Sequence, residues 1–92
     1  ALELAKVLQN QQMIAKSLNH LGMVATRLDD YKEAINFHRQ SLSIFQELGH
    51  SEGINLNYGN LAALYSSTKN YEKSFEYYEK TLSYFENSQN VK

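Results

Sequence analysis

Displaced by 40 residues, the sequence aligns with itself without a single insertion. Leu2 falls on Leu42 and Leu82, Leu8 on Leu48, Ile14 on Ile54, Leu21 on Leu61, Tyr31 on Tyr71, and Phe45 on Phe85. Conservative pairs fill the intervals, among them Leu4 with Ile44, Val24 with Leu64, Ile35 with Phe75 and Phe37 with Tyr77. A period of this length marks stacked supersecondary units, each burying its apolar face against the next. The 92 residues read as one domain in three parts: residues 1–12, which repeat the end of a unit, and two full units, 13–52 and 53–92. An ordinary antiparallel bundle would not require so strict a register.

Within a unit the spacing is helical. Ile14, Leu18, Leu21, Ala25 and Leu28 recur at the interval of one helix face, and Ile54, Tyr58, Leu61 and Tyr65 repeat it. Tyr31, Ala34, Ile35, His38, Leu42, Phe45 and Leu48 form a second stripe, matched by Tyr71, Ser74, Phe75, Tyr78, Leu82 and Phe85. The chain has no proline and only four glycines, so little interrupts these patterns. Asp30, with Glu33 three residues on, is expected to cap the second helix of unit one, and Asn70 that of unit two. Gly49 reads as a left-handed stop, followed by Ser51 as the next N-cap. The expectation is five helices, near 1–9, 12–27, 31–48, 52–68 and 71–87, with residues 88–92 fraying.

Two helices per unit, a leucine before a small residue in the first (Leu21-Gly22, Leu61-Ala62), and a tyrosine opening the second with a small residue three later (Tyr31 and Ala34, Tyr71 and Ser74) complete a recognisable pattern. It resembles the tetratricopeptide repeat in its longer version. The resemblance covers essentially the whole chain. It implies an all-α, right-handed superhelical solenoid of antiparallel helix pairs. The family's proline after the second helix is missing, its usual aromatic in the first helix is Leu18 in unit one, and its second small position is Ser41 and Thr81. Gly22 and Ala62 are expected to let the helices approach closely, with Ala34 and Ser74 opposite them.

Composition narrows the function. A formal net charge of −1 removes the electrostatic case for nucleic acid or a polybasic membrane anchor. No apolar run approaches the ~18 residues of a membrane span, and no signal peptide is visible, so a cytoplasmic setting is expected. With no cysteine, thiolate metal sites and cysteine nucleophiles are excluded. His20, His38 and His50 lack second ligands at zinc-site spacing, and His38 reads as a hydrogen-bonded core histidine. No nucleophile–base set and no phosphate-cradling loop is present, so neither catalysis nor a cofactor or metal is expected. The tyrosines near the C-terminus suit packing better than base stacking, since no basic residues interleave them.

A ligand groove remains. The resemblance implies that first helices line a binding face for a protein or peptide. The positions off the core stripe are Lys16, Asn19, His20, Met23 and Arg27 in one helix, and Leu56, Asn60, Ala63 and Ser67 in the other. An amide such as Asn60 can donate to and accept from a peptide backbone, and Lys16 and Arg27 can meet a carboxylate. Three readings follow: a peptide-binding scaffold module, a self-associating element, or a regulatory segment of a larger signalling protein such as a sensor kinase or transcription regulator. Apolar residues at both ends (Leu2, Leu4, Ala5 and Leu8; Tyr77, Tyr78, Tyr84 and Phe85) predict a homodimer through terminal helices, or a longer array that covers them.

Overall fold

Three residues in the left-handed region, Asp29 (φ 60°), Gly49 (φ 65°) and Lys69 (φ 65°), divide the chain at equal intervals. At each stop the next amide reaches back five residues: Asp30 to the Ala25 carbonyl at 2.8 Å, His50 to Phe45 at 3.0 Å, and Asn70 to Tyr65 at 2.8 Å. These bonds satisfy the carbonyls that a helix end leaves open. The next residue then caps the following helix. Asp30 Oδ1 accepts the Glu33 amide and Asn70 Oδ1 accepts the Lys73 amide, both at 3.4 Å. Before the helix that opens at Ser51 the cap is His50, not Ser51: its Nδ1 accepts the Gly53 amide at 3.0 Å. The imidazole supplies the acceptor that the serine was expected to supply, and Ser51 is already helical.

In a computed structural model describing the backbone of residues 2–90 and the side chains of residues 3–84, four helices result. They are α1 (Leu2–Arg27), α2 (Tyr31–Leu48), α3 (Ser51–Ser67) and α4 (Tyr71–Asn90), with no strand among the described residues. The two first helices expected from the sequence are one. In the repeat register Gln9 stands where Gly49 makes its left-handed turn, and a side chain there costs about 1–2 kcal/mol. Residues 2–8 extend α1 without a lost hydrogen bond. α4 likewise continues through residues 88–90, expected to fray; residues 91 and 92 lie outside the described residues.

Each helix packs on the next in an all-α repeat fold, a slab only 15 Å in its thinnest extent. α2 and α3 bury the stripes expected of them. Leu42, Leu61 and Tyr65 form one cluster, backed by Ile54, Tyr58 and Tyr77; Ala25, Ala34 and Leu64 form another, backed by Tyr31, Ile35 and Phe37. Tyr77 lies stacked on Tyr65 with ring centroids 5.7 Å apart, and burial pushes its phenol above the ordinary value. Lys73 and Lys80 sit over the Tyr65 and Tyr58 rings, fastening α4 to α3.

The outer helices depart from expectation. Of the α1 stripe only Ala25 is buried and Leu18 is half-buried, while Ile14 (53 %), Leu21 (48 %) and Leu28 (74 %) are exposed. The inward face carries Ala15, Asn19, Gly22 and Ala25 instead, because α1 has one neighbouring helix to bury against where α3 has two. On α4, Tyr71, Phe75, Tyr78 and Leu82 are exposed for the same reason; Ser74 is buried and donates to the Ala62 carbonyl at 2.8 Å. The Phe85 and Leu2 side chains, assigned to apolar faces from sequence, lie outside the described residues.

Beneath α1 the core is polar. Ser41 Oγ donates to the Ala15 carbonyl at 2.8 Å and accepts from Asn57 Nδ2 at 3.0 Å. That orients Asn57 Oδ1 toward His38 Nδ1 (3.3 Å), which meets Asn19 Oδ1 at 2.8 Å. Both neighbours of Nδ1 are acceptors, so Nδ1 carries the proton and Nε2 is bare. Gly22 makes room for the ring: a Cβ there would lie 2.6 Å from His38 Nε2. The partner of Gly22 is thus His38 and not Ala34, which packs with Ala25.

Two expectations follow from this packing. Gly22→Ala forces the His38 ring aside and is expected to cost about 1–3 kcal/mol despite alanine's better helix propensity. Gly59→Ala meets nothing within 4 Å and is expected to gain about 0.5–1 kcal/mol. Thermal melts read both, and equal shifts would refute the close approach at Gly22. Burial, partly opposed by the Asn57 bond, holds His38 below its ordinary pKa of 6.5. A folded pKa lowered in this way adds stability that is complete above about 6.5 and is lost as pH falls through the folded value. The His38 ring resonances are expected to titrate below 6.5 by NMR; titration at or above that value would show that the ring is not held neutral.

Candidate functional site

α1 and α3 both lean on α2, and a groove runs between them. Three contiguous cavities line it, of about 270, 450 and 400 Å³. All nine groove positions read from the sequence lie along its walls. Lys16, Asn19, His20, Met23 and Leu56 surround the middle; Met23, Arg27, Asn60, Ala63 and Ser67 surround one end. Lys16, Asn19 and Leu56 continue toward the other, where Glu52, Gly53 and Phe45 close it. The helical rise brings this about: residues three and four apart on α1 share one face, and the equivalent face of α3 turns toward it.

The nine differ in what they offer. Asn19 is 6 % exposed, and its Oδ1 is engaged by His38, so it cannot act as a free two-way clamp. Its Nδ2 has no partner among the described residues, which leaves a donor at the groove floor. Asn60 is only half-buried. Lys16, His20 and Arg27 are exposed, three nitrogen-bearing side chains on one wall, while Glu52 is the acidic residue at the far end. Met23, Leu56 and Ala63 interleave them with apolar surface.

His38 also lines the groove, though it was read from sequence only as core. Its Nδ1 is bound to the two asparagines and its Nε2 lies against Gly22, so the ring closes the floor of that end of the groove. No sequence signal marked it for that place: a histidine on an apolar stripe looks the same whether it closes a core or floors a groove. Thr26, whose hydroxyl donates to the Gly22 carbonyl at 2.9 Å, is a second lining residue that sequence reasoning missed. No helix among the described residues is long and apolar enough to cross a membrane.

Comparison with known proteins agrees with this architecture. Over 77 residues the chain is 32 % identical to Protein FLUORESCENT IN BLUE LIGHT, chloroplastic, from Arabidopsis thaliana. The match takes in 84 % of the chain but only 24 % of that relative's length. A family model described as tetratricopeptide repeat matches residues 13–87, which hold the first repeated unit, most of the second and the whole groove. With that span matched and its helix pairs stacked in a 40-residue register, the chain belongs to the tetratricopeptide repeat family.

Proposed function

We propose that the chain is a non-catalytic protein-interaction module that takes an extended peptide into the groove between α1 and α3. Membership of a family of protein-interaction repeats supports the coarse reading. The finer one rests on a single observation: the Asn19 Nδ2, without a partner among the described residues, and the half-buried amide of Asn60 lie along one apolar-walled groove. An extended backbone presents alternating N–H and C=O groups and can satisfy both. Lys16 and Arg27 on the same wall favour a peptide with acidic side chains.

A second reading, self-association through the open apolar faces of the end helices, is favoured by the exposure of α1 and α4. It is compatible with the first, because the groove and the open face occupy different sides of α1. Either activity suits a cytoplasmic regulatory segment of a larger signalling protein.

Peptides selected from a random displayed library on the folded chain supply the probes. Asn60→Ala is expected to weaken a selected peptide by about 1 kcal/mol, roughly fivefold, by removing a backbone partner. Lys16→Ala is expected to matter for acidic peptides and to matter less at high salt. Affinity unchanged in an Asn60→Ala, His20→Ala double variant would place the peptide elsewhere.

A further inference from the structure

Along α1 the exposed apolar residues keep a seven-residue repeat: Val7, Ile14, Leu21 and Leu28, each about half exposed or more. Leu28 still belongs to the helical turn, since its amide bonds to the Val24 carbonyl at 3.1 Å. Leu4 and the half-buried Leu18 fall at intermediate positions, which gives the seam the spacing of a helix–helix contact, while Ala25, next in that series, is buried against Ala34 and Leu64. It is free of charge between Val7 and Leu28, because Lys16 and Arg27, the charged residues of that stretch, both turn to the groove. It also runs past the repeat. Gln12 meets His50 at 3.2 Å where α2 ends, and the helix continues N-terminally with Leu8, Val7 and Leu4 exposed.

We propose that this seam is the contact of a homodimer in which two α1 helices lie antiparallel, deepening the self-association reading above. The seam complements itself. With the twofold axis between Ser17 and Leu18, Ile14 faces Leu21 of the second copy and Val7 faces Leu28. Gln11 then meets Val24, so no charge is buried. The N-terminal turn, bearing Glu3 and Lys6, arrives at the turn bearing Asp29 and Lys32, so each acidic residue finds a lysine at the rim. On α3 the equivalent face is covered by α2, also from the antiparallel direction, so the second α1 supplies what α1 lacks. Covering the seam removes on the order of 500 Å² from each copy, roughly the 1,000 Å² total at which specific interfaces begin. α4 does not offer the same. Its open stripe of Tyr71, Phe75, Tyr78 and Leu82 is flanked by Glu72 and Glu79, which two antiparallel copies would set against each other.

The full chain contains no cysteine, which makes cross-linking clean. Under mild oxidation a mixture of Val7→Cys and Leu28→Cys chains is expected to form a disulfide-linked dimer, while either variant alone forms little. Sedimentation equilibrium at 10–100 µM is expected to give twice the 10.6 kDa chain mass, falling to the single mass for Leu21→Glu with its helical circular dichroism intact. A monomer throughout that range overturns the proposal and leaves the seam to a helix of a longer chain. Efficient linkage of Val7→Cys to itself overturns the antiparallel register, and a dimer that survives Leu21→Glu moves the contact to α4. Peptide binding by the groove persists or fails independently, since Leu21 takes no part in it.

Discussion

The chain of hydrogen bonds from the Ala15 carbonyl through Ser41, Asn57 and His38 to Asn19 is the contact through which α1, α2 and α3 constrain one another. An apolar core of this thinness would tolerate sliding between helices, because one methyl group packs nearly as well as the next. Directional bonds do not. Each link has one donor and one acceptor, and a shift of a single helical turn would leave several buried groups unpaired, at about 1–3 kcal/mol each. Gly22 is the steric condition for the arrangement, since only a hydrogen at that position leaves space for the imidazole. Gly53 does the same for Phe45, whose ring would lie 2.5 Å from a Cβ there. Two missing side chains on α1 and α3 thus admit two rings from α2.

That polar centre also connects fold to site. His38 and Asn19 spend one polar atom each on the other, and both residues line the groove. The floor of the candidate site is therefore held by the same bonds that register the helices. A ligand partner there meets groups whose positions are already fixed, which lowers the ordering cost of binding. Lys16, His20 and Arg27 belong to the exposed wall and are free to adjust.

How far the sequence could be read depended on whether a residue's surroundings were local. The caps at Asp30 and Asn70 and the stop at Gly49 are decided within four or five residues, and each was legible. His50 displaced Ser51 because an imidazole can cap as well, a use that composition rules rank low. The apolar stripes of α2 and α3 were legible because those helices have neighbours on both sides. On α1 the same period led to Ile14, Leu21 and Leu28, and the structure buries Ala15, Asn19 and Gly22 instead. Periodicity finds a face; it does not say whether a neighbour is there to cover it. The groove positions were legible for the complementary reason, as the family register places them whether or not the ends are covered.

Gln9 shows how one residue propagates through the whole arrangement. Left-handed stops fall at Asp29, Gly49 and Lys69, and the rhythm puts the preceding one at Gln9, which stays helical. Asp29 and Lys69 show that glycine is not essential for such a stop, provided the helices on either side have partners to return to. Residues 3–8 are exposed in the unbroken helix, and a break at Gln9 would add backbone strain. Continuing the helix is the cheaper course, and it carries Leu4, Val7 and Leu8 into solvent in line with Ile14, Leu21 and Leu28. The failure of one turn to form thereby extends the exposed apolar row of α1 toward its N-terminus, on the side of that helix away from the groove.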